Sequence, residues 1–273
     1  GDEKMQKVVE IKDLNFSYQE KEVFKNLHLT MESQKFTVVL GPNGSGKTTL
    51  LKLLLGFEKG NSVIMLDSLP VIKENLNRIY KEIGVVFENQ NQNFVAETVT
   101  DELAFPLENL NYGKEEITKA IDQVSDLLNI KHLLNEVPNN LNAGDKQLVA
   151  LASALIINPK ILLIDEGLNN LDLSRKNKIL SILKKLVNEN QITIIYFTHD
   201  SEDTLNADNV IILSNGKVQV ANTKEEIYKD ENNFLNANLE PPFIIKLSKR
   251  LQFYDLIQDD YLNAEKLVND LWK

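Results

Sequence analysis

Residues 41–48 read Gly-Pro-Asn-Gly-Ser-Gly-Lys-Thr, a full match to the pattern G-x-x-x-x-G-K-[ST]. That spacing builds a turn whose backbone N–H groups converge on an anion at the start of a helix. Gly44 and Gly46 allow close approach to phosphate, and Gly41, Pro42, Asn43 and Ser45 complete the cradle. Lys47 can bridge β- and γ-phosphate oxygens, the Thr48 hydroxyl can ligate Mg2+, and Thr49 follows in the same turn. A second group closes the run Lys-Ile-Leu-Leu-Ile-Asp-Glu at 160–166, where an apolar strand ends in two acids at the sheet edge that binds ligands in α/β proteins. Asp165 would hold Mg2+ directly or through water, and Glu166 would polarise the attacking water as general base. A third group is His199, which follows the apolar run 192–197 and Thr198, so that its ring could reach a γ-phosphate. His28 and His132 lie away from any strand end and read as structural or solvated. Asn169, Asn170, Leu171 and Asp172 follow the acid pair at a spacing suited to a loop crossing a subunit boundary. Asp172 is equally placed to cap a helix beginning near Ser174. ATP and Mg2+ are the ligands these groups imply.

The elements that must position them follow from hydrophobic period. Residues 8–18 alternate apolar and polar, and Phe24, Leu27 and Leu29 continue the extended character, which predicts a small β layer. The run Phe-Thr-Val-Val-Leu at 36–40 enters the glycine-rich loop, and Leu-Leu-Lys-Leu-Leu-Leu leaves it as a helix stopped near Gly56. Further buried strands are expected at 62–66, 83–87, 161–164, 192–197 and 210–213, with helices between most of them. Such alternation predicts a parallel sheet covered on both faces. The interval 98–157 carries helical periods only, notably 115–128 and 146–157, and reads as an inserted helical subdomain. Asn215-Gly216 is a hairpin signal. After Pro241-Pro242, Phe243, Ile244, Leu247 and Leu251 recur at helical spacing, and a last helix carries Leu267, Val268, Leu271 and Trp272.

Composition narrows the class. The chain has 273 residues, 42% hydrophobic and 26% charged, with 11 Gly and 7 Pro, enough to bury a sizeable core. The longest nearly unbroken apolar run, 148–157, is half of the ~20 residues a membrane-spanning helix needs. No secretory signal is visible, so the cytoplasm is the expected location. The absence of cysteine excludes disulfides, thiolate catalysis and cysteine-ligated zinc. A net charge of −10 argues against a broad nucleic-acid-binding face, and no nucleic-acid partner is expected.

The order of these motifs resembles the ATP-binding-cassette (ABC) ATPases from Val8 to about Asp230. The resemblance implies an α/β P-loop NTPase core with an N-terminal antiparallel β layer, an inserted helical subdomain at about 95–158 and a small C-terminal helical extension. The cassette is expected over 5–235 and the extension, with a role in dimerisation, over 236–273. Tyr18 sits where the family's adenine-stacking aromatic lies, Glu88 at its Q-loop glutamine, whose oxygen reaches Mg2+ and the attacking water, and His199 at its switch histidine. Residues 141–147, Leu-Asn-Ala-Gly-Asp-Lys-Gln, occupy its LSGGQ signature, so Asn142 and Gly144 would cap the γ-phosphate bound on the opposite subunit. The segment 85–110 is similar to the ATPases of energy-coupling factor (ECF) vitamin and metal importers. That likeness implies a peripheral subunit on the cytoplasmic face of the cell membrane. It would partner a second ABC ATPase subunit, a transmembrane scaffold subunit and a substrate-binding membrane subunit. Residues 90–105, with Phe94, Val95, Leu103 and Phe105, would line the groove that receives the scaffold.

Departures from the family pattern bear on rate. Asn142 replaces serine, Ala143 glycine and Asp145 glutamine, which suggests a weakened signature face, although Asn142 can still donate through its amide. Glu88 is a stronger Mg2+ ligand than glutamine but adds charge beside a polyanion. Gly167-Leu168 replaces the usual Pro-Thr or Pro-Ser, and Gln34-Lys35 the usual Gly-Glu. A homodimer would carry the altered signature at both sites, so the expected partner ATPase is a different chain. The alternative reading is a subunit that binds nucleotide and barely hydrolyses it. A soluble ABC protein of DNA maintenance or translation would need a long coiled coil or two cassettes in one chain.

Overall fold

The alternating N-terminal segment forms a hairpin in the computed structural model, which describes residues 6–88, 94–190, 192–257, 261 and 264–271. Strands β1 (Lys7–Tyr18) and β2 (Lys21–Glu32) pair antiparallel, with Ile11 opposite Leu29 and Phe16 opposite Phe24. Val9, Ile11, Leu14 and Phe16 are buried while Lys7 and Lys12 face solvent, the division that a half-covered antiparallel sheet requires. Strand β3 (Phe36–Leu40) is buried along its whole length and feeds the glycine-rich loop. Helix α1 (Lys47–Leu54) leaves that loop and ends before Gly56, whose φ is 70°.

Residues 62–66 depart from expectation. Only β4 (Met65–Leu66) is extended, and it pairs antiparallel with β1 and with β5 (Leu69–Pro70), enlarging the N-terminal layer instead of the parallel sheet. The cause is one-sided burial: Ile64 and Leu66 are buried, whereas Val63 is exposed, and a strand of the parallel sheet must bury both faces.

Helix α2 (Leu76–Tyr80) precedes β6 (Ile83–Val86). Helices α3 (Val99–Asn109), α4 (Lys114–Leu127) and α5 (Ala143–Leu155) make the inserted helical unit. Then follow β7 (Ile161–Asp165), α6 (Leu173–Asn190), β8 (Thr193–Thr198), β9 (Asn209–Ser214) and β10 (Lys217–Thr223). Helices α7 (Lys224–Tyr228), α8 (Asn232–Leu235), α9 (Phe243–Phe253) and α10 (Ala264–Leu271) complete the chain. The large sheet runs β10-β9-β3-β8-β7-β6, parallel from β9 to β6 with β10 antiparallel at the edge. Its two faces supply two cores. Phe36, Val38, Leu162, Ile164, Ile194 and Tyr196 point to the helical unit and α6. Their neighbours Val39, Leu163, Ile195 and Phe197 point to α1 and the N-terminal β layer. Strand period alone produces this split.

Most of the C-terminal stripe packs on this chain's own core. Ile244 and Ile245 are buried, and Leu247 and Leu251 pack against the core under the sheet. The start of α9 is tied down where the Phe243 N–H donates to Glu202 Oε1 at 2.6 Å. The stripe therefore covers this chain's own core, while Phe243, Phe253, Tyr254 and Leu256 are exposed. Trp272 lies outside the described residues. No helix among the described residues is long and apolar enough to cross a membrane.

The β9–β10 turn joins the two layers. Asn215 and Gly216 have φ of 50° and 69°, the pair of positive values that a two-residue hairpin turn needs. Gly216 N–H donates to Ser45 O at 3.1 Å, and a Cβ built on Gly216 would lie 1.7 Å from Val23 O. Gly216→Ala should therefore cost about 2–4 kcal/mol of stability, read as a lower denaturant midpoint. A midpoint equal to wild type would contradict this packing.

Candidate functional site

Sheet register assembles the site. Leu40 pairs with Thr198, and Asp165 with Phe197, so the glycine-rich loop, the acid pair and His199 emerge side by side at the C-terminal edge of β3, β7 and β8. Gly41 N–H donates to Thr198 O at 3.1 Å and Glu166 N–H to Phe197 O at 3.0 Å, which fixes both chain exits to β8. They open onto a cavity of about 530 Å³, large enough for a nucleotide. Asn43, Gly44, Gly46, Lys47, Thr48 and Thr49 form its floor. Tyr18, Glu88, Glu166 and His199 stand around it. Pro42 O accepts the Ser45 N–H at 3.1 Å, and Gly46 caps α1 in the left-handed region with φ 109°. The loop thus turns its remaining N–H groups to the helix mouth.

Lys47 is the buried cation of the site. Its Nζ donates to Gly41 O at 2.6 Å and Pro42 O at 3.2 Å and lies 3.7 Å from Glu166 Oε1. Burial pushes its pKa down, and Glu166 and Asp165 pull against that. Glu166 is held in the left-handed region, φ 52°, a strained backbone for a residue with a side chain. That backbone aims its carboxylate at two donors beside the Lys47 ammonium. Asn169 Nδ2 donates to Oε2 at 2.5 Å, and His199 Nδ1 is 3.0 Å from both oxygens. A carboxylate only accepts, so Nδ1 carries the proton and Nε2 is the nitrogen left for a ligand.

Asp165 sits deeper. Its Oδ2 accepts from the Thr48 hydroxyl at 3.2 Å, while its buried Oδ1 has no hydrogen-bond partner. Burial pushes its pKa up to about 6, with nearby Glu166 and Glu88 in the same sense and the Thr48 hydroxyl against it. An orphaned carboxylate oxygen beside a hydroxyl is a hard oxygen pair that fits Mg2+, the remaining ligands coming from phosphate and water. Among the described residues no cluster of three or more His, Cys, Asp and Glu could hold a metal by itself. Glu88 is exposed at the cavity rim, and its charge reaches both Lys47 and Asp165.

Tyr18 is partly exposed, packs edge-on against Phe16 at 4.8 Å and has Lys52 Nζ 5.9 Å from its ring, so it is a rim aromatic and no core residue. Asn142, Gly144 and Asp172 are not among the residues lining this cavity. Asn142 caps α5, and Asp172 caps α6 by accepting the Arg175 N–H at 2.9 Å. The Asn142 amide expected to reach phosphate donates instead to Asp145 Oδ2 at 2.6 Å. Of the groove residues, Leu103 is fully buried and Phe94 nearly so, both packing the helical unit, whereas Val95 and Phe105 are exposed. Gln90 lies outside the described residues.

Sequence reasoning missed the support behind His199. Lys176 Nζ meets Asp203 Oδ1 at 2.7 Å and Asp200 Oδ2 at 3.1 Å, and Thr198 Oγ1 donates to Asp203 Oδ2 at 2.7 Å. These bonds, buried at Asp203 and half-exposed at Asp200, fix the turn that carries the imidazole. No linear spacing announces them, because α6 and β8 meet only in the tertiary structure.

The raised Asp165 pKa has a stability consequence. The charged form is penalised in the fold, so the cost is absent below the ordinary value of 3.8 and complete once pH passes about 6. Asp165→Asn should stabilise the nucleotide-free chain at pH 7 by about 1–3 kcal/mol. The gain should vanish near pH 4. Equal thermal unfolding of both proteins at pH 7, in chelator, would contradict the burial cost.

The sequence profile described as ABC transporter matches residues 24–169. The chain is 37% identical over 267 residues, 97% of its length and 91% of the relative, to "Energy-coupling factor transporter ATP-binding protein EcfA1" of Ureaplasma parvum. The protein of that name in Staphylococcus epidermidis is 32% identical, over 97% of this chain and 98% of its own. Among solved structures, cbiO1 from Clostridium perfringens, described as part of the ABC transporter complex cbiONQ, superposes with a TM-score of 0.77 at 28% identity, covering 89% of this chain and 99% of that one. The ATP-binding cassette MJ0796, in a dimeric post-hydrolysis state bound to ADP and Pi, gives 0.71 at 27% identity, covering 79% of this chain and 98% of that one. With the 41–48 loop, the paired acids and His199 gathered at one sheet edge, the chain belongs to the ABC transporter family, among the ATP-binding proteins of energy-coupling factor transporters.

Proposed function

We propose that this chain binds and hydrolyses ATP to energise a membrane importer of the energy-coupling factor type, for vitamin or transition-metal uptake. It acts as a peripheral subunit on the cytoplasmic face of the membrane. The observation that carries the reading is the convergence of Lys47, Asp165, Glu166 and His199 on one open anion cradle. Lys47 exchanges its bonds to the Gly41 and Pro42 carbonyls for β- and γ-phosphate oxygens, so no new cation has to be buried. Tyr18 stacks on the adenine. Thr48 and Asp165, with Glu88 at the rim, would hold Mg2+, which supplies positive charge to the phosphate oxygens. Glu166 accepts a proton from the water that attacks the γ-phosphorus as the bond to the β-γ bridging oxygen breaks, releasing ADP and phosphate. Asn169 and the Nδ1–H of His199 hold that carboxylate in line, and His199 Nε2 faces the γ-phosphate.

The chain closes head-to-tail on a second ATPase subunit. Each composite site then takes its phosphate loop from one subunit and the start of α5, with the loop around Asp172, from the other. We assign the second subunit to a different chain, because a homodimer would lack the signature serine at both sites. The exposed Phe243, Phe253, Tyr254 and Leu256 of the 236–273 extension offer a further contact to it. The other partners are the transmembrane scaffold subunit and a substrate-binding membrane subunit. The scaffold docks at the cleft between β6 and the helical unit, lined by Gly84, Phe87, Phe94, Glu102 and Pro106, with Val95 and Phe105 exposed beside it.

Two measurements test this reading. In the assembled transporter, Glu166→Gln should lower turnover at the site built on this chain's phosphate loop by about a thousandfold and leave ATP affinity there within about threefold. Unchanged turnover would remove Glu166 from the chemistry. Val95→Cys and Glu97→Cys, both at exposed positions, should cross-link to a cysteine on a cytoplasmic helix of the scaffold. Failure to cross-link in every nucleotide state would exclude the cleft as the docking site.

A further inference from the structure

The acid in the altered signature segment is already answered within this chain. Asn142 Oδ1 accepts the Asp145 N–H at 2.9 Å, and Asn142 Nδ2 donates to Asp145 Oδ2. The other carboxylate oxygen, Oδ1, receives an N–H from the Arg175 guanidinium at 2.5 Å, with Asp145 only 15% exposed. Arg175 belongs to the first turn of α6, directly after the loop that the composite site needs. Two further contacts bind that loop to α5. Gln147 Oε1 accepts the Asn170 N–H at 2.9 Å, and a Cβ built on Gly144 would lie 3.1 Å from Asn170 O.

The first N–H groups of α5, those of Ala143 and Gly144, have no acceptor within a helix and form its positive end. A free carboxylate in the same turn would satisfy that potential itself and repel a polyphosphate. With Asn142 on one oxygen and Arg175 on the other, both oxygens are engaged and the charge is cancelled.

We propose that Arg175 is a positioning residue of the composite site. By pairing with Asp145 it turns a signature segment that carries an acid into a face able to receive the γ-phosphate of ATP bound to the partner subunit. The inference rests on the head-to-tail reading above. It makes α6 part of the site, since the helix that follows the Asp172 loop supplies the cation that makes α5 acceptable to phosphate.

The test uses the assembled transporter with Glu166→Gln in this chain, so that the remaining turnover belongs to the partner's phosphate loop under this chain's α5. ATP-driven closure, followed by energy transfer between labelled ATPase subunits, supplies a second readout that needs no hydrolysis. At low salt, Arg175→Ala should raise the ATP concentration for half-maximal closure and turnover by about tenfold. The deficit should shrink at high salt. Adding Asp145→Gln to Arg175→Ala should restore both readouts to within about twofold, since the acid needing compensation is gone. The assignment is overturned if Arg175→Ala matches the parent, or if the double variant stays as impaired as the single, as it would for a purely structural arginine. Ala143→Asp separates the two readings, because position 143 is exposed and an acid there favours the helix. If it leaves both readouts unchanged, the start of α5 does not face ATP and the composite-site reading itself fails. If it suppresses them while Arg175→Ala does not, only the role of Arg175 is lost.

Discussion

The buried Lys47 ammonium, set against carboxylates, governs the site of this molecule. Lys47 is 6% exposed, its ordinary pKa is depressed by burial, and Glu166 and Asp165 act to keep it charged. Its charge is spread over two loop carbonyls, and Asp165 keeps one buried oxygen with no partner. Such a cluster is costly to bury, and phosphate and a divalent cation would offset that cost. Much of the fold serves to hold the cluster in place. Parallel pairing of β3, β7 and β8 sets the three chain exits level, and the positive φ of Glu166 turns its carboxylate back towards the loop.

Helix α6 links that cluster to the rest of the assembly. Two adjacent residues at its start each end on an acid from a different element: Arg175 on Asp145 of α5, and Lys176 on Asp200 and Asp203 behind His199. The Asp172 loop runs into the same helix end. Helix α6 therefore ties the start of α5, the Asp172 loop and the turn behind His199 to one element. That coupling suits a subunit whose hydrolysis must be read by membrane partners.

What the sequence made legible was whatever depends on local pattern. The glycine-rich loop, the acid pair, His199, the helical interval and the Asn215-Gly216 turn lie where their spacing put them. Residues 62–66 were misassigned because Ile64 and Leu66 have strand-like spacing, and only the packing partner decides whether such a strand enters a one-sided or a two-sided layer. The stripe of α9 was likewise readable as apolar but silent about what it covers. Asp145 looked like an uncompensated charge because its partner lies 30 residues away, and pairing over that distance is a property of the fold. The link from Lys176 to Asp203 escaped notice for the same reason, whereas Glu166 and Asn169, three residues apart, meet because of the left-handed backbone at Glu166.

The central claim is that the γ-phosphate of ATP lies in the 41–48 loop of this chain. Vanadate, which replaces the departing phosphate and cleaves the backbone beside it under ultraviolet light, reports that position directly. After trapping the assembled transporter with ATP and vanadate and irradiating it, mass spectrometry should locate a cut within residues 41–48. Trapping with no cut in that loop, and cleavage elsewhere in this chain, would contradict the account.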